Sequence, residues 1–373
     1  MADVSKNTFD LCDPENHFAN AVPQRARDSQ TLRNAILAAS ARHFSTLPRE
    51  RQKEIIQGYG LKQGFTVSEE MVLHYHNECI ADLRYLASEP NAIMDEDLLA
   101  AVVILRFYEE LDSPFIEFST ETAIRGLQVF IEAQASLALA SPGFRQAVFW
   151  VGFRQEFHIA FAQQRPFRLP LSICEPHLTW TPAPDHVWAN RLIIICAHAI
   201  QYCYDDRLNQ GATRYRELVE LYNRWQQCRP MSFSPTYAED PDQTQGDIFP
   251  RIWFMDDCHI LASQSMGLLK ILLTAYSPHV LRVGPARRKY LAQIDAKLRA
   301  TVLEICGVAL SNRQSPPALI TACVAINTCC EQFSDLREQQ ALLEINAITT
   351  RETNYWPASV SKAKLEEAWG WGT

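Results

Sequence analysis

Acidic and amide side chains gather near the middle of this 373-residue chain. Asp205 and Asp206 precede Asn209, Thr213 and Glu217, and the last three fall at i, i+4 and i+8, so a helix would set them on one face. Oxygen ligands at that spacing suit a magnesium ion, and a diphosphate bound through it needs a second acidic cluster across a cavity. The candidates for that second cluster are Asp256-Asp257, with no third carboxylate one turn on, and the Tyr108 to Asp112 run YEELD. Gly211 interrupts the helix the trio requires. The trio is therefore expected to cap and solvate a helix start.

A second constellation is FWVGFRQEFHIAF, which places Arg154 and Glu156 among aromatic residues, with Arg154 and His158 four apart on one helix face. A buried arginine needs a carboxylate or carbonyl partner, and a neighbouring helix offers Glu109 or Asp257. The sharper alternative is an effector pocket between helices, with Arg154, Glu156, Trp188 and Asp257 as its candidate lining. His74 and His76 sit two apart, about 200° around a helix, and make poor joint ligands. Cys323, Cys329 and Cys330 fall on one expected helix, where a core role suits them. The sequence contains no CxxC, no glycine-rich phosphate loop, no GxSxG and no HExxH. No catalytic residue, metal ligand or cofactor is expected.

The elements that must position these residues read as helices. After Thr66-Val-Ser-Glu69, which has the form of a capping box, Val72, Tyr75, Cys79, Leu83 and Leu86 recur at three- and four-residue intervals. Leu98 to Tyr108 is apolar nearly all round, as an interior helix must be. Ser141-Pro142 offers a cap and a first-turn proline for a helix through Trp150 and Phe161. The same spacing returns at Trp188, Leu192, Ile195, Ala199 and Tyr202, at Val302, Ile305, Cys306 and Ala309, and at Cys323, Ile326, Cys330 and Phe333. Two breaks carry prolines, one with Pro166, Pro170, Pro176, Pro182 and Pro184, the other with Pro230, Pro235, Pro241 and Pro250 beside Glu239, Asp240, Asp242 and Asp247. Alternating β-branched runs are almost absent, and no repeat of fixed period occurs. The expectation is an all-α fold: a large multi-helix bundle of packed antiparallel helix pairs with long proline-containing loops. No Gly/Ser-rich or charge-block linker separates the helices, so residues 1–373 are expected to form a single domain.

Composition narrows the function classes. At a formal net charge of -8, the chain is repelled by phosphate backbones, which disfavours autonomous DNA binding. The run Arg287, Arg288 and Lys289, and the scattered Arg25, Arg27, Arg33, Arg42 and Arg49, suit a solvated face. Apolar runs are broken by Arg or His before membrane-spanning length, and the first residues lack a signal-peptide layout, so no membrane association and an intracellular location are expected. Cys79, Cys196, Cys203, Cys306, Cys323 and Cys330 occupy apolar stripes, a usage that fits a reducing compartment.

Taken in order, LRNAILAASARHF, HYHNECIADLRYL, LLAAVVILRFYEELDS, FWVGFRQEFHIAF, WANRLIIICAHAIQYCY, FPRIWFMDDCHILASQ and CGVALSNRQSPPALITACVAINTC resemble the regulatory domain of fungal zinc-cluster transcription factors, the fungal-specific transcription factor domain. The resemblance runs from about Leu32 to Trp369 and includes Trp225, Phe233 and Pro235 in LYNRWQQCRPMSFSP and the closing NYWPASVSKAKLEEAW. It implies a nuclear α-helical transcription regulator, often of metabolic or secondary-metabolite genes, that answers to a small-molecule effector or works with other regulators and coregulators. It implies no catalytic residues. A six-cysteine zinc cluster needs thiolates in CxxC-type halves, which these residues do not offer, so direct DNA binding by this chain alone is not expected. The enzyme alternative is a magnesium-dependent, class I terpene cyclase-like reaction built on Asn209, Thr213 and Glu217.

Overall fold

The computed structural model describes residues 8–60, 66–86, 88–89, 91–112, 122–205, 211–242, 244–279 and 285–371, side chains 112, 122–127 and 285 excepted. The described residues are overwhelmingly α-helical, with two three-residue strands, as the stripes require. They group into two compact units, Met1–Gln155 with Thr350–Pro357, and Glu156–Thr349 with Ala358–Thr373.

In the first unit, α1 (Gln30–Thr46) packs on α3 (Glu69–Leu86) and α4 (Glu96–Asp112), and α4 packs on α5 (Thr122–Ala140); α2 is Arg49–Gly58. Helix α1 presents Leu32, Ala35, Ala38 and Ala39, a mostly small face that lets its neighbours approach closely. Val72, Cys79 and Leu83 answer from α3. On α4 every residue from Leu98 to Tyr108 is buried, so this helix is interior on all sides. Ahead of α1, Phe9 stacks on Phe18 at 4.7 Å and meets Phe107 edge-on at 5.4 Å. The buried Asp10 accepts hydrogen bonds from the Phe18 and Ala19 N–H groups, both at 2.9 Å.

Helix α6 (Phe144–Ala162) contributes residues to both units, up to Gln155 to the first and from Glu156 to the second. In the second unit α7 (Asp185–Tyr204) packs on α8 (Ala212–Cys228) and α9 (Asp257–Ala275), α9 on α10 (Pro285–Ser311), and α10 on α11 (Pro316–Thr328); α12 (Leu336–Thr353), whose residues from Thr350 on belong to the first unit, and α13 (Ala358–Trp369) complete the helices. Helix α9 is long and apolar enough to cross a membrane by length and composition alone, and 72% of its apolar window is buried inside the protein. Packing therefore accounts for its composition. Gln264 on α9 donates to the carbonyls of Ile305 (3.3 Å) and Ala318 (2.9 Å), fastening α10 and α11 to it.

The second proline-rich break contains a hairpin that the sequence did not announce. Strand β1 (Tyr237–Glu239) pairs antiparallel with β2 (Arg251–Trp253) in the register Tyr237 to Trp253. Strand β2 lies against α10, where the Ser311 hydroxyl accepts the Ile252 N–H (3.0 Å) and Asn312 accepts the Phe254 N–H (3.1 Å) while donating to the Ile252 carbonyl (2.8 Å). The polar end of CGVALSN thus satisfies the backbone of FPRIWF. Gly307 makes room: a Cβ there would stand 2.3 Å from the Pro250 carbonyl oxygen.

Local boundaries differ from the sequence expectations in three places. The hydroxyl that caps α3 is Ser68, which accepts the Met71 N–H at 3.2 Å, so the helix starts one residue on, at Glu69, and Thr66 lies outside it. Helix α6 starts at Phe144, after Gly143 at φ 136°, and leaves Ser141-Pro142 in the turn before it. Helix α11 ends at Thr328, so Cys329 and Cys330 lie in the following turn and Cys330 is only half-buried. All eleven cysteines are free thiols. Burial pushes Cys174, Cys323 and Cys329 up to about 12, which keeps them protonated and inert.

Gly307→Ala is expected to lower unfolding stability by roughly 1–3 kcal/mol, because backbone rather than a flexible side chain blocks the added methyl. Gly58→Ala, whose Cβ would meet nothing within 4 Å, should be neutral or slightly stabilising. Urea unfolding monitored by circular dichroism separates the two.

Candidate functional site

The structure places the four candidate pocket residues in different settings. Arg154, in the first unit, is buried, and its Nη2 donates to the Phe9 carbonyl at 3.3 Å. A carbonyl partner, one of the two kinds expected, thus ties α6 to the chain ahead of α1. Glu156, Trp188 and Asp257 lie in the second unit.

Glu156 is 1% exposed and serves as an anchor for the first proline-rich loop. Arg165 reaches it with both terminal nitrogens, at 2.5 and 2.9 Å, and the Arg168 N–H adds a third hydrogen bond at 3.0 Å. A buried carboxylate held by a two-pronged guanidinium and a backbone donor has most of its lost hydration replaced. Sequence spacing gave no sign of this pair, because Arg165 lies beyond the end of α6.

Trp188 anchors the far end of the same loop. Arg191, one turn on, holds its guanidinium 4.6 Å over the Trp188 ring and donates to the Thr181 carbonyl and the Thr179 hydroxyl, both at 2.8 Å. These bonds bring Trp180 to 6.4 Å from Trp188, and Arg224 covers Trp180 at 4.8 Å. Two cations and two indole rings therefore clamp the loop onto α7 and α8. The Trp188 carbonyl accepts the Trp225 indole N–H at 3.0 Å, and Trp225 meets Phe233 edge-on at 5.5 Å. Phe233 in turn meets the His259 ring at 4.7 Å, and His259 Nε2 lies 2.8 Å from Asp185. Three buried polar atoms in these side chains, Trp188 Nε1, Arg191 Nε and His259 Nδ1, have no hydrogen-bond partner. Asp257 is half-buried at the first position of α9, where its charge complements the helix dipole; the cap itself is Asp256, which accepts the Cys258 N–H at 2.9 Å.

Asp206 and Asn209 fall outside the described residues, so the acidic trio is seen only in part. Thr213 and Glu217 are exposed on α8, and Glu217 pairs with Arg214 at 2.9 Å. His76 stacks on Tyr108 at 4.5 Å, whereas His74 lies beside Tyr75. Among the described residues no three or more His, Cys, Asp or Glu side chains are placed to hold a metal ion.

Among the described residues of the first unit, Glu110 has a strongly altered acidity. Burial raises Glu110 to about 7, with Glu109 adding to the rise and Arg106 opposing it. Burial and the Glu110 charge together push the Tyr355 phenol up, and burial holds the nearby His43 imidazole down. His43 and Tyr355 meet edge-on at 6.5 Å, and Tyr355 meets Phe107 at 6.2 Å.

Residues 2–137 match the family model of the fungal specific transcription factor domain. The resemblance read from the motifs therefore holds over somewhat more than a third of the chain, including LRNAILAASARHF, HYHNECIADLRYL and LLAAVVILRFYEELDS. The later motifs lie beyond the matched span. No curated protein and no solved structure matches the chain. The match supports a role in fungal transcription regulation, and its family is not a class of enzymes.

Two stability measurements follow. Arg165→Ala strands the buried Glu156 charge and is expected to cost about 3–5 kcal/mol, and adding Glu156→Gln should recover part of that loss in a denaturant titration. Glu110, raised above its unfolded value near 4.5, takes up a proton on folding. Its contribution is full below about 4.5 and lost as pH rises through about 7. Melting temperatures taken between pH 5 and 8 should fall across that window, and Glu110→Gln should flatten the fall.

Proposed function

We propose that this chain is a nuclear transcription regulator of the fungal zinc-cluster class that controls metabolic or secondary-metabolite genes through its helical regulatory part, together with partner regulators or coregulators. The observation that carries the proposal is the family match over residues 2–137, on a fold that is helical as that resemblance implies. Net charge of -8 and the lack of any CxxC in these 373 residues favour action through a partner over promoter reading by this chain itself. The regulatory part is taken to be residues 1–373 acting as one domain, with α6 supplying residues to both compact units. A small-molecule effector is part of the same proposal. The unpartnered polar atoms of Trp188, Arg191 and His259 favour such an input, with Glu156, Trp188 and Asp257 as its candidate residues and Arg154 kept as the candidate in the first unit.

Fusing the chain to a heterologous DNA-binding module upstream of a reporter in fungal cells tests the proposal. Reporter output is expected to change by about tenfold, roughly 1.4 kcal/mol of recruitment free energy. A mobility-shift titration of the unfused chain should show no preference for one duplex sequence over another. An unchanged reporter would sink the regulator reading, and tight sequence-specific binding by the chain alone would sink the partner-dependent part of it.

A further inference from the structure

The second unit contains a half-open cleft of about 240 Å³ that involves none of the candidate residues above. Each wall is one stripe of a helix. Helix α8 supplies Tyr215, Val219, Tyr222 and Asn223, at i, i+4, i+7 and i+8. Helix α9 and the turn after it supply Lys270, Leu273, Thr274 and Ser277, and α10 supplies Tyr290, Gln293, Ile294 and Lys297. These spacings turn every named side chain toward the same space.

Three features of the lining define what fits. Size comes first: an apolar cavity of about 150 Å³ accommodates a benzene molecule, so this volume suits one aromatic ring with a few substituents, and not a nucleotide. Shape and chemistry come second, because Tyr215, Tyr222 and Tyr290 offer flat faces while Asn223, Thr274, Ser277 and Gln293 offer hydrogen bonds. Charge decides the rest. The lining carries two ammonium groups, Lys270 and Lys297, and no carboxylate. Glu304 lies 3.6 Å from Lys270 and offsets part of its charge, which leaves Lys297 as the principal cation.

The negative end of α9 would oppose an anion, but part of it is answered. The Tyr215 hydroxyl donates to the Leu273 carbonyl (2.9 Å) and the Tyr276 N–H to the Leu272 carbonyl (3.0 Å). Arg287, Arg288 and Lys289, exposed on the first turn of α10 just before Tyr290, add positive potential around the entrance.

We infer that this cleft binds a small aromatic anion, a single ring bearing a carboxylate, with the ring against Tyr215, Tyr222 and Tyr290 and the carboxylate on Lys297. The inference stands apart from the regulator reading, since binding and promoter output are measured separately. Isothermal titration of the full chain with salicylate, 4-hydroxybenzoate and phenylacetate tests it, with salicylamide, acetate and inorganic phosphate as comparison probes. At least one aromatic carboxylate should bind saturably, one per chain, and about tenfold more tightly than each comparison probe, the scale of one charge-assisted hydrogen bond. Lys297→Glu, an exposed change that leaves the fold alone, should weaken that binding by tenfold or more, whereas Lys364→Glu on α13 should not. Absence of saturable binding by all three carboxylates, equal binding of salicylamide, or preference for phosphate would overturn the inference. So would binding that Lys297→Glu leaves unchanged.

Discussion

A backbone polar group removed from water must find a partner, and this constraint organises the protein beyond its helices. Within a helix the backbone satisfies itself, so polar side chains facing inward are free to serve segments that are not helical. Buried and half-buried ones do so repeatedly. Gln134 donates to the carbonyls of Ile93 and Asp95, both at 2.9 Å, and Arg145 donates to that of Met94. Arg154 serves Phe9, Arg191 serves Thr181, Asn312 serves Ile252, and Gln339 serves Phe333 at 2.8 Å. Loop positions are thus fixed by side chains projecting from rigid elements, at about 1 kcal/mol of net stabilisation each and a larger penalty wherever one is removed.

The same logic explains why charge sits inside. Glu156 and Arg165, and the cation and indole layers around Trp180 and Trp188, hold the two ends of one long proline-rich loop against helices of the second unit. A loop so fastened is a defined surface and not a slack connection. His259 and the most buried thiols, groups that could do acid–base chemistry, are instead folded into packing. His259 is held by Asp185 and lies against Phe233, and the most buried thiols are too basic to react.

Much of the fold was legible in the sequence. Three- and four-residue apolar spacing located α3, α7, α10 and α11, and the apolar run from Leu98 marked the helix that is buried on every side. Boundaries were less legible where several capping groups compete within a few residues, as Ser68 does with Thr66. The hairpin was not visible, since three residues per strand are too few to show alternation and its partners, Ser311 and Asn312, lie about sixty positions along the chain.

The site was legible only as a set of residue types. Sequence marked Arg154, Glu156, Trp188 and Asp257 as polar or aromatic groups in apolar surroundings, but the partners of Arg154 and Glu156, the Phe9 carbonyl and Arg165, lie in segments outside the long helices whose course no local pattern encodes. The cleft between α8, α9 and α10 was likewise hidden, because each wall alone reads as an ordinary half-exposed stripe. By itself, then, the sequence determined helix type, the burial of each face and the resemblance to a regulatory family, since these follow from periodicity within one segment and from motif order. Which carbonyl each buried donor meets, and which three stripes enclose a common space, only the tertiary structure decided, because both depend on distances between segments that chain spacing does not carry.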